Sequence, residues 1–316
     1  MMQKWAFGAA AGLVVLTGLT VGYWLLGRDA SPEAVAAIQH CSAAPANDRI
    51  WVPAGRYQIG ATPRYREEAG PQEVETAGFW IDRHEVTNAQ FARFVAATGY
   101  VTVAEQTPDP ADYPEIDPAA LVAGSAVFGV SAGEGYWWRF VPGASWRAPQ
   151  GPGSSIAGRD DYPVVHIAYA DAQAYAAWAG GELPNETEWE IAARAGHVGT
   201  EFEWGDEFRP DGQWRANSWQ GPFPVIDTGD DGFVGLAPIG CFEPNDLGLV
   251  DMTGNVWEWT SSPFSADPET GTIRGGSYLC APNYCARFRP AARQAQERDF
   301  SASHIGFRTI SRDPAL

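Results

Sequence analysis

The sequence predicts a single α+β domain with little regular secondary structure, carried behind an apolar N-terminal segment. Three observations predict it. Glycine (35) and proline (24) are abundant across the 316 residues, so much of the backbone must run in turns and irregular segments. Three stretches carry the 3.6-residue periodicity of an amphipathic helix, and the strand-like stretches are short. Fourteen tryptophans within an apolar fraction of 45% supply large aromatics for loops to close over.

The elements follow in chain order. Residues 5–26, "WAFGAAAGLVVLTGLTVGYWLL", carry no charge. As a helix they reach roughly 33 Å, enough to span a bilayer core. Trp5, Tyr23 and Trp24 stand at the ends, where aromatic rings prefer the interface. A secretory signal peptide has a shorter apolar core, and residues 25–34 offer only a weak cleavage site. Residues 1–28 therefore read as an uncleaved anchor, 29–48 as a small, polar linker, and 49–316 as the domain. Lys4 and Arg28 nearly balance across the span. The expected location is outside the cytoplasm, anchored on the periplasmic side, or secreted if the segment is cleaved. Disulfides persist there.

"IWVPAGRYQIG" alternates around a Pro-Ala-Gly turn and predicts two strands paired with each other. "EVETAGFWIDRHEV" predicts one more. In "EVTNAQFARFVAATGY", Thr87 and Gln90 form a capping box, Phe91, Phe94 and Val95 make the apolar stripe, and Gly99 ends the helix. In "YADAQAYAAWAGG", Asp171 caps while Ala174, Tyr175 and Trp178 face inward. In "LPNETEWEIAARAG", Asn185 caps with Glu188 three residues on, and Gly196 takes the C-terminal cap. Beyond residue 200 helical periodicity fades. The tryptophans and phenylalanines there predict an ordered loop region.

The composition excludes several classes. A net charge of −18 opposes nucleic acid, whose binding needs a basic field. None of the five histidines falls in H-E-x-x-H or another ligand spacing, which argues against catalytic zinc. No G-x-S-x-G elbow, P-loop or dinucleotide fingerprint is present. Two glycine-bent loops gather hard oxygen donors suited to Ca²⁺: Asn217, Asp227, Asp230 and Asp231 in one, Asp251, Asn255 and Glu258 in the other. Asx turns use the same residues.

"RGGSYLCAPNYCARFRPAAR" holds Cys280 and Cys285 with Pro282 and Asn283 between them, and the turn these favour brings both sulfurs to one point. Two readings follow. The bare spacing in an exported protein favours a disulfide. Arg287, Arg289 and Arg293 favour a reactive thiolate, or one bound to a soft ion such as Cu(I). Cys41 and Cys241 remain, and four cysteines allow three connectivities.

The order of "VPAGRYQIG", "EVTNAQFARFVAATGY", "LPNETEWEIAARAG", "ANSWQGPFPVIDTGDDGF", "GLVDMTGNVWEWT", "RGGSYLCAPNYCARFRPAAR" and "SASHIGFRT" resembles the formylglycine-generating enzyme (sulfatase-modifying factor) family from about residue 50 to 310. Most of these motifs are shared with inactive siblings; the cysteine pair after R-G-G-S-Y marks the oxidases. The resemblance implies an irregular formylglycine-generating-enzyme / C-type-lectin-like fold. It implies oxidation of the cysteine in a C-x-P-x-R segment of a sulfatase to Cα-formylglycine, with O₂ and copper. Carried over by motif, Cys280 and Cys285 hold Cu(I), Ser277 is the active-site serine, and Trp257 and Tyr284 line the peptide cleft. One Ca²⁺ falls to Asn217, Asp231 and the carbonyls of Ser218 and Phe233, a second to Asp251, Glu258 and the carbonyls of Gly254 and Val256. The enzyme is expected to be a monomer. The structural cysteines of animal members are missing, and the membrane span is outside the family pattern. A non-catalytic binding or maturation factor for an exported protein is the alternative.

Overall fold

Two runs expected to pair with each other join different sheets. The computed structural model describes residue 41 and residues 48–313 except 112 and 130–136. Strand β1 (Arg49–Val52) and β2 (Gly55–Ile59) flank the Pro-Ala-Gly turn, and the next stretch divides into β3 (Gln72–Thr76) and β4 (Phe79–Asp82). β1 pairs antiparallel with β4, setting Val52 opposite Phe79, whereas β2 pairs with β3, setting Gly55 opposite Thr76. The corner at Ala77 and Gly78 makes this possible. A Cβ at Gly78 would lie 2.3 Å from the Trp51 ring, so glycine lets the chain pass close under that ring.

Helix α1 (Asn88–Thr98) has the expected capping box from Thr87 and Gln90, and Gly99 ends it in the left-handed region with φ 71°. Hairpin strands β5 (Gly124–Phe128) and β6 (Trp138–Pro142) follow. In α2 (Tyr169–Trp178) the cap is Ala168, and Asp171 stands three residues inside, accepting the Ala168 amide at 2.9 Å. Asp171 also takes the Val103 amide at 3.0 Å and the Tyr100 hydroxyl at 3.1 Å, so its carboxylate ties α2 to the segment after α1. Tyr175 faces inward as expected, together with Ala172 and Ala176; Ala174 is half-buried and Trp178 exposed. Helix α3 (Glu186–Arg194) starts on Asn185 and Glu188 as predicted, but its left-handed cap is Ala195, one residue before Gly196.

Strands β7 (Trp257–Pro263), β8 (Thr270–Arg274), β9 (Arg293–Glu297) and β10 (Ile305–Gly306) form one sheet in the order β10-β7-β8-β9, with β10 parallel to β7. β11 (Ile310–Ser311) adds to β4. One aromatic-rich core packs α1 and α2 against β7 around Phe91, Trp146, Trp257, Trp259 and Phe307. A second packs α3 against β1 and β4 around Trp189.

The loops after residue 200 are ordered by side chains. Asn245 accepts the amides of Leu247 and Leu249, both at 3.1 Å, and donates to the Ala192 carbonyl at 3.0 Å. Phe202 stacks on Trp204 at 5.2 Å. Cys41 and Cys241 form a disulfide. The predicted anchor at 5–26, and the linker apart from Cys41 and Asp48, lie outside the described residues. Among those described, no helix is long and apolar enough to cross a membrane.

Candidate active site

Strand β8 delivers the chain to the cysteine turn from an anchored end. The buried Arg274 guanidinium donates to Glu190 at 2.6 Å, Glu186 at 3.1 Å and the Pro290 carbonyl at 2.7 Å. Gly275 and Gly276 then take φ 94° and 76°, conformations open to glycine. A Cβ at Gly276 would meet the Phe288 amide at 2.8 Å. Two tight turns follow, Cys280 N–H to the Ser277 carbonyl at 2.8 Å and Tyr284 N–H to the Ala281 carbonyl at 3.0 Å. They bring the two sulfurs within 3.2 Å, and both cysteines are free. The disulfide favoured by the bare spacing is not formed.

The two thiols differ in kind. Burial pushes the Cys280 thiol well up, and the neighbouring Cys285 adds to the effect. Cys285 is drawn down to about 6 by the hydrogen bond from Cys280, against its own desolvation, with further help from Arg287. Cys285 is thus the more acidic of the two thiols, and also the less buried. Arg287 is held in turn: it pairs with Glu67, and its guanidinium lies 3.9 Å over the Tyr65 ring. The Tyr65 hydroxyl accepts the Ala286 amide at 3.1 Å, and Arg289 pairs with the buried Glu68. Tyr65, Glu67 and Glu68 were not legible as site residues; they lie more than 200 residues away, in a turn with no motif.

Ser277 is fully buried, its hydroxyl accepting the Leu279 amide at 3.3 Å and its backbone amide directed at the Cys280 sulfur. Trp257 is 2% exposed and belongs to the same aromatic-rich core as Cys280. Tyr284, 56% exposed, is the open wall. It stacks on Phe223 at 4.3 Å and meets Trp137 edge-on at 5.4 Å. Past Trp137, Trp138 borders the first of two adjoining cavities, about 600 Å³, lined also by Phe140, Phe300, Arg139 and Glu297; Asp299 lines this cavity and the second, about 670 Å³, where Asp109 and Glu269 stand.

The donor-rich loops differ in how well they suit a cation. In the first, Asp231 accepts the amides of Ser218 at 3.2 Å and Phe233 at 3.0 Å. The Gln220 amide nitrogen lies between the Asp231 carboxylate and the Ser218 carbonyl, so these two oxygens converge on one point. Burial pushes Asp231 up to about 6, so a cation there would be answered by a carboxylate in need of one. Asn217 donates to the Gly235 carbonyl at 2.9 Å and to Asn255 at 3.0 Å.

In the second, Asp251 is buried at φ 55° and accepts the Gly240 amide at 2.6 Å. Glu258 has its oxygens on Arg308, at 2.7 and 2.8 Å, and on the Trp189 indole at 2.7 Å. Nearby Glu85 is fully buried with both carboxylate oxygens unpartnered, and Glu203 has one. Burial pushes both carboxyls up, Glu203 to about 8, so a cation would favour their ionised form, though Glu258 is already engaged. Among the described residues no three His, Cys, Asp or Glu side chains group as metal ligands, so either site would draw on carbonyls.

Residues 35–313 match the family model described as the sulfatase-modifying factor enzyme 1-like domain. The formylglycine-generating enzyme of Mycobacterium tuberculosis is 48% identical over 291 residues, spanning 83% of this chain and 97% of that protein. The inactive C-alpha-formylglycine-generating enzyme 2 of Bos taurus is 40% identical over 268 residues, spanning 83% and 87%. Among solved structures, PvdO from Pseudomonas aeruginosa aligns over 83% of this chain and 93% of its own with a TM-score of 0.55 and 23% identity, a likeness of fold alone.

Proposed function

The chain belongs to the sulfatase-modifying factor enzyme 1-like family, and on that premise we propose that it oxidises the cysteine of a C-x-P-x-R segment in a sulfatase to Cα-formylglycine, with O₂ as oxidant. Similarity alone does not separate this from the binding-factor alternative, because a relative named inactive is 40% identical. The observation that carries the reading is the cysteine pair: two free sulfurs 3.2 Å apart, one buried and one half-buried, beside an exposed tyrosine.

Cys280 and Cys285 would hold Cu(I), for which two soft sulfurs on one rigid turn are suitable ligands. When bound, that ion supplies the one-electron chemistry with O₂ that amino-acid side chains lack. The protein's own residues do the rest. In the metal-free pair the hydrogen bond from Cys280, and then Arg287, draws Cys285 down; with both sulfurs on the ion, Arg287 would remain to balance the charge on Cys285. Tyr284 would wall the cleft from its exposed side, and Trp257 would line it from the core. Two electrons and two protons leave the substrate Cβ–S unit for O₂, which becomes hydrogen peroxide; water then replaces sulfur in the thioaldehyde, and sulfur departs as hydrogen sulfide.

The substrate arginine would take the cavity beyond Trp138, where Asp299 and Glu297, beside Arg139, would meet its charge. Ca²⁺ at Asn217, Ser218, Asp231 and Phe233, and a second at Asp251, Gly254, Val256 and Glu258, would brace the loops under the cleft. The segment 5–26 anchors a monomeric catalytic domain outside the cytoplasm, where it meets exported sulfatases.

The test uses the full chain in detergent, reduced and loaded with Cu(I), incubated in air with a C-x-P-x-R peptide whose mass is followed. Conversion of thiol to aldehyde that vanishes in Cys280→Ser and Cys285→Ser is expected. An unchanged peptide that nonetheless binds would leave the binding factor.

A further inference from the structure

The cysteine turn is gripped at both ends by one distant loop. At one end, the Trp219 amide donates to the Cys280 carbonyl at 3.0 Å. At the other, Phe223 lies parallel to Tyr284, 9° between planes and 4.3 Å between centroids, and Tyr284 immediately precedes Cys285. Phe223 is itself set from three sides. It is edge-on to Trp219 at 5.0 Å and to Trp137 at 5.2 Å, and stacked on Phe128 at 5.7 Å. The Pro222 carbonyl, which accepts the Val225 amide at 2.8 Å, closes the turn that presents it.

From this geometry we infer that Phe223 is a positioning residue for the peptide site: it holds the Tyr284 ring in the one orientation that walls the cleft. The inference rests on the proposed function for its substrate. A tyrosine that is 56% exposed otherwise has its rotamers to choose among, and a peptide binding there must order it. Phe223 removes that requirement before the peptide arrives. Phe223 touches neither sulfur through any ring contact or hydrogen bond described above. Its loss therefore acts on peptide binding, leaving the metal and the chemical step alone.

The experiment is a double-mutant cycle in the full chain, between Phe223→Leu and Tyr284→Ala. Three quantities are read: Kd of a labelled C-x-P-x-R peptide for the reduced, copper-free protein, KM against kcat for its conversion, and Cu(I) affinity by competition with a chromophoric chelator. Phe223→Leu is expected to raise Kd and KM about tenfold or somewhat less, the worth of one aromatic stack. It should leave kcat and Cu(I) affinity unchanged, add nothing in the Tyr284→Ala background, and be rescued by Phe223→Tyr. Equal losses with and without Tyr284, an unchanged KM, or a fall in Cu(I) affinity would each overturn the inference. Should Phe223→Leu not fold, Phe223→Met carries the same cycle. A wild type that binds the peptide without converting it defeats the proposed activity, while the binding cycle still decides the role of Phe223. One that neither binds nor converts defeats both.

Discussion

Replacing Glu190 by glutamine tests how the start of the cysteine turn is held. The Glu190 carboxylate lies between two buried guanidinium groups, with Arg194 at 2.8 Å and Arg274 at 2.6 Å, and also accepts the Gly60 amide at 2.8 Å. The three side chains are 7%, 2% and 3% exposed, so water cannot take over the lost charge. Burial pushes the Glu190 carboxyl up, but the two arginines outweigh it and hold it below the usual carboxylate range.

Breaking a buried pair costs about 3–5 kcal/mol. Arg274 keeps Glu186 at 3.1 Å, which points to the lower end of that range. A loss of about 3 kcal/mol lowers Tm by roughly 6–12 °C in a domain of this size. Urea unfolding should show a lower midpoint with an unchanged slope, and Glu190→Gln combined with Arg194→Met should cost less than the sum of the two. Because the folded pKa is depressed, the wild-type advantage is full above the ordinary value of 4.5 and disappears as pH falls through the folded one. A loss under about 1 kcal/mol, or one that persists in acid, would refute the argument that charge compensation holds this end of the turn.

Asp299→Asn should raise KM for a C-x-P-x-R peptide about two- to fivefold, the worth of a partly exposed pair, and leave KM alone when glutamine replaces the peptide arginine; equal effects on both peptides would remove the arginine from that cavity. His166 is fully buried, and desolvation pushes it down to about 4. It therefore contributes stability that is complete above 6.5 and lost as pH falls toward 4, roughly 3 kcal/mol once fully protonated. Asparagine tolerates the φ of 62° there, so His166→Asn should flatten urea-unfolding stability between pH 6.5 and 4, and an unchanged pH profile counts against it. Calcium should raise Tm by mass action and a chelator lower it, with the response reduced in Asp231→Asn; an Asp231→Asn response equal to wild type would place the cation elsewhere.

Much of the site's vocabulary is local, and local features were readable. Thr87 with Gln90 and Asn185 with Glu188 are pairs three residues apart whose bonds close within one helical turn, so spacing alone identifies them. The cysteine turn announced itself through Pro282 and Asn283 in the same way. Asp171 shows the limit of this reasoning. An aspartate near a helix start fits the cap and the third position equally well in sequence, and the backbone chose the third. Pairing of β1 and β2 failed for a related reason. Alternation indicates a strand but not its partner, and the partner was settled by the close pass of Gly78 over Trp51.

That two cysteines meet on a tight turn in an irregular α+β domain could be read from neighbours a few residues apart. What kind of pair they are depends on how the rest of the chain packs around them. Whether a sulfur is a thiol or a thiolate depends on desolvation and on charges within a few ångströms. Here the hydrogen bond from Cys280 and the charge of Arg287 come from within the motif, but burial, the grip of Glu67 and Tyr65 on Arg287 from more than 200 residues away, and the wall of Trp137 and Phe223 come from the packing. No spacing encodes these contacts, since folding brings such residues together through the packing of the whole chain.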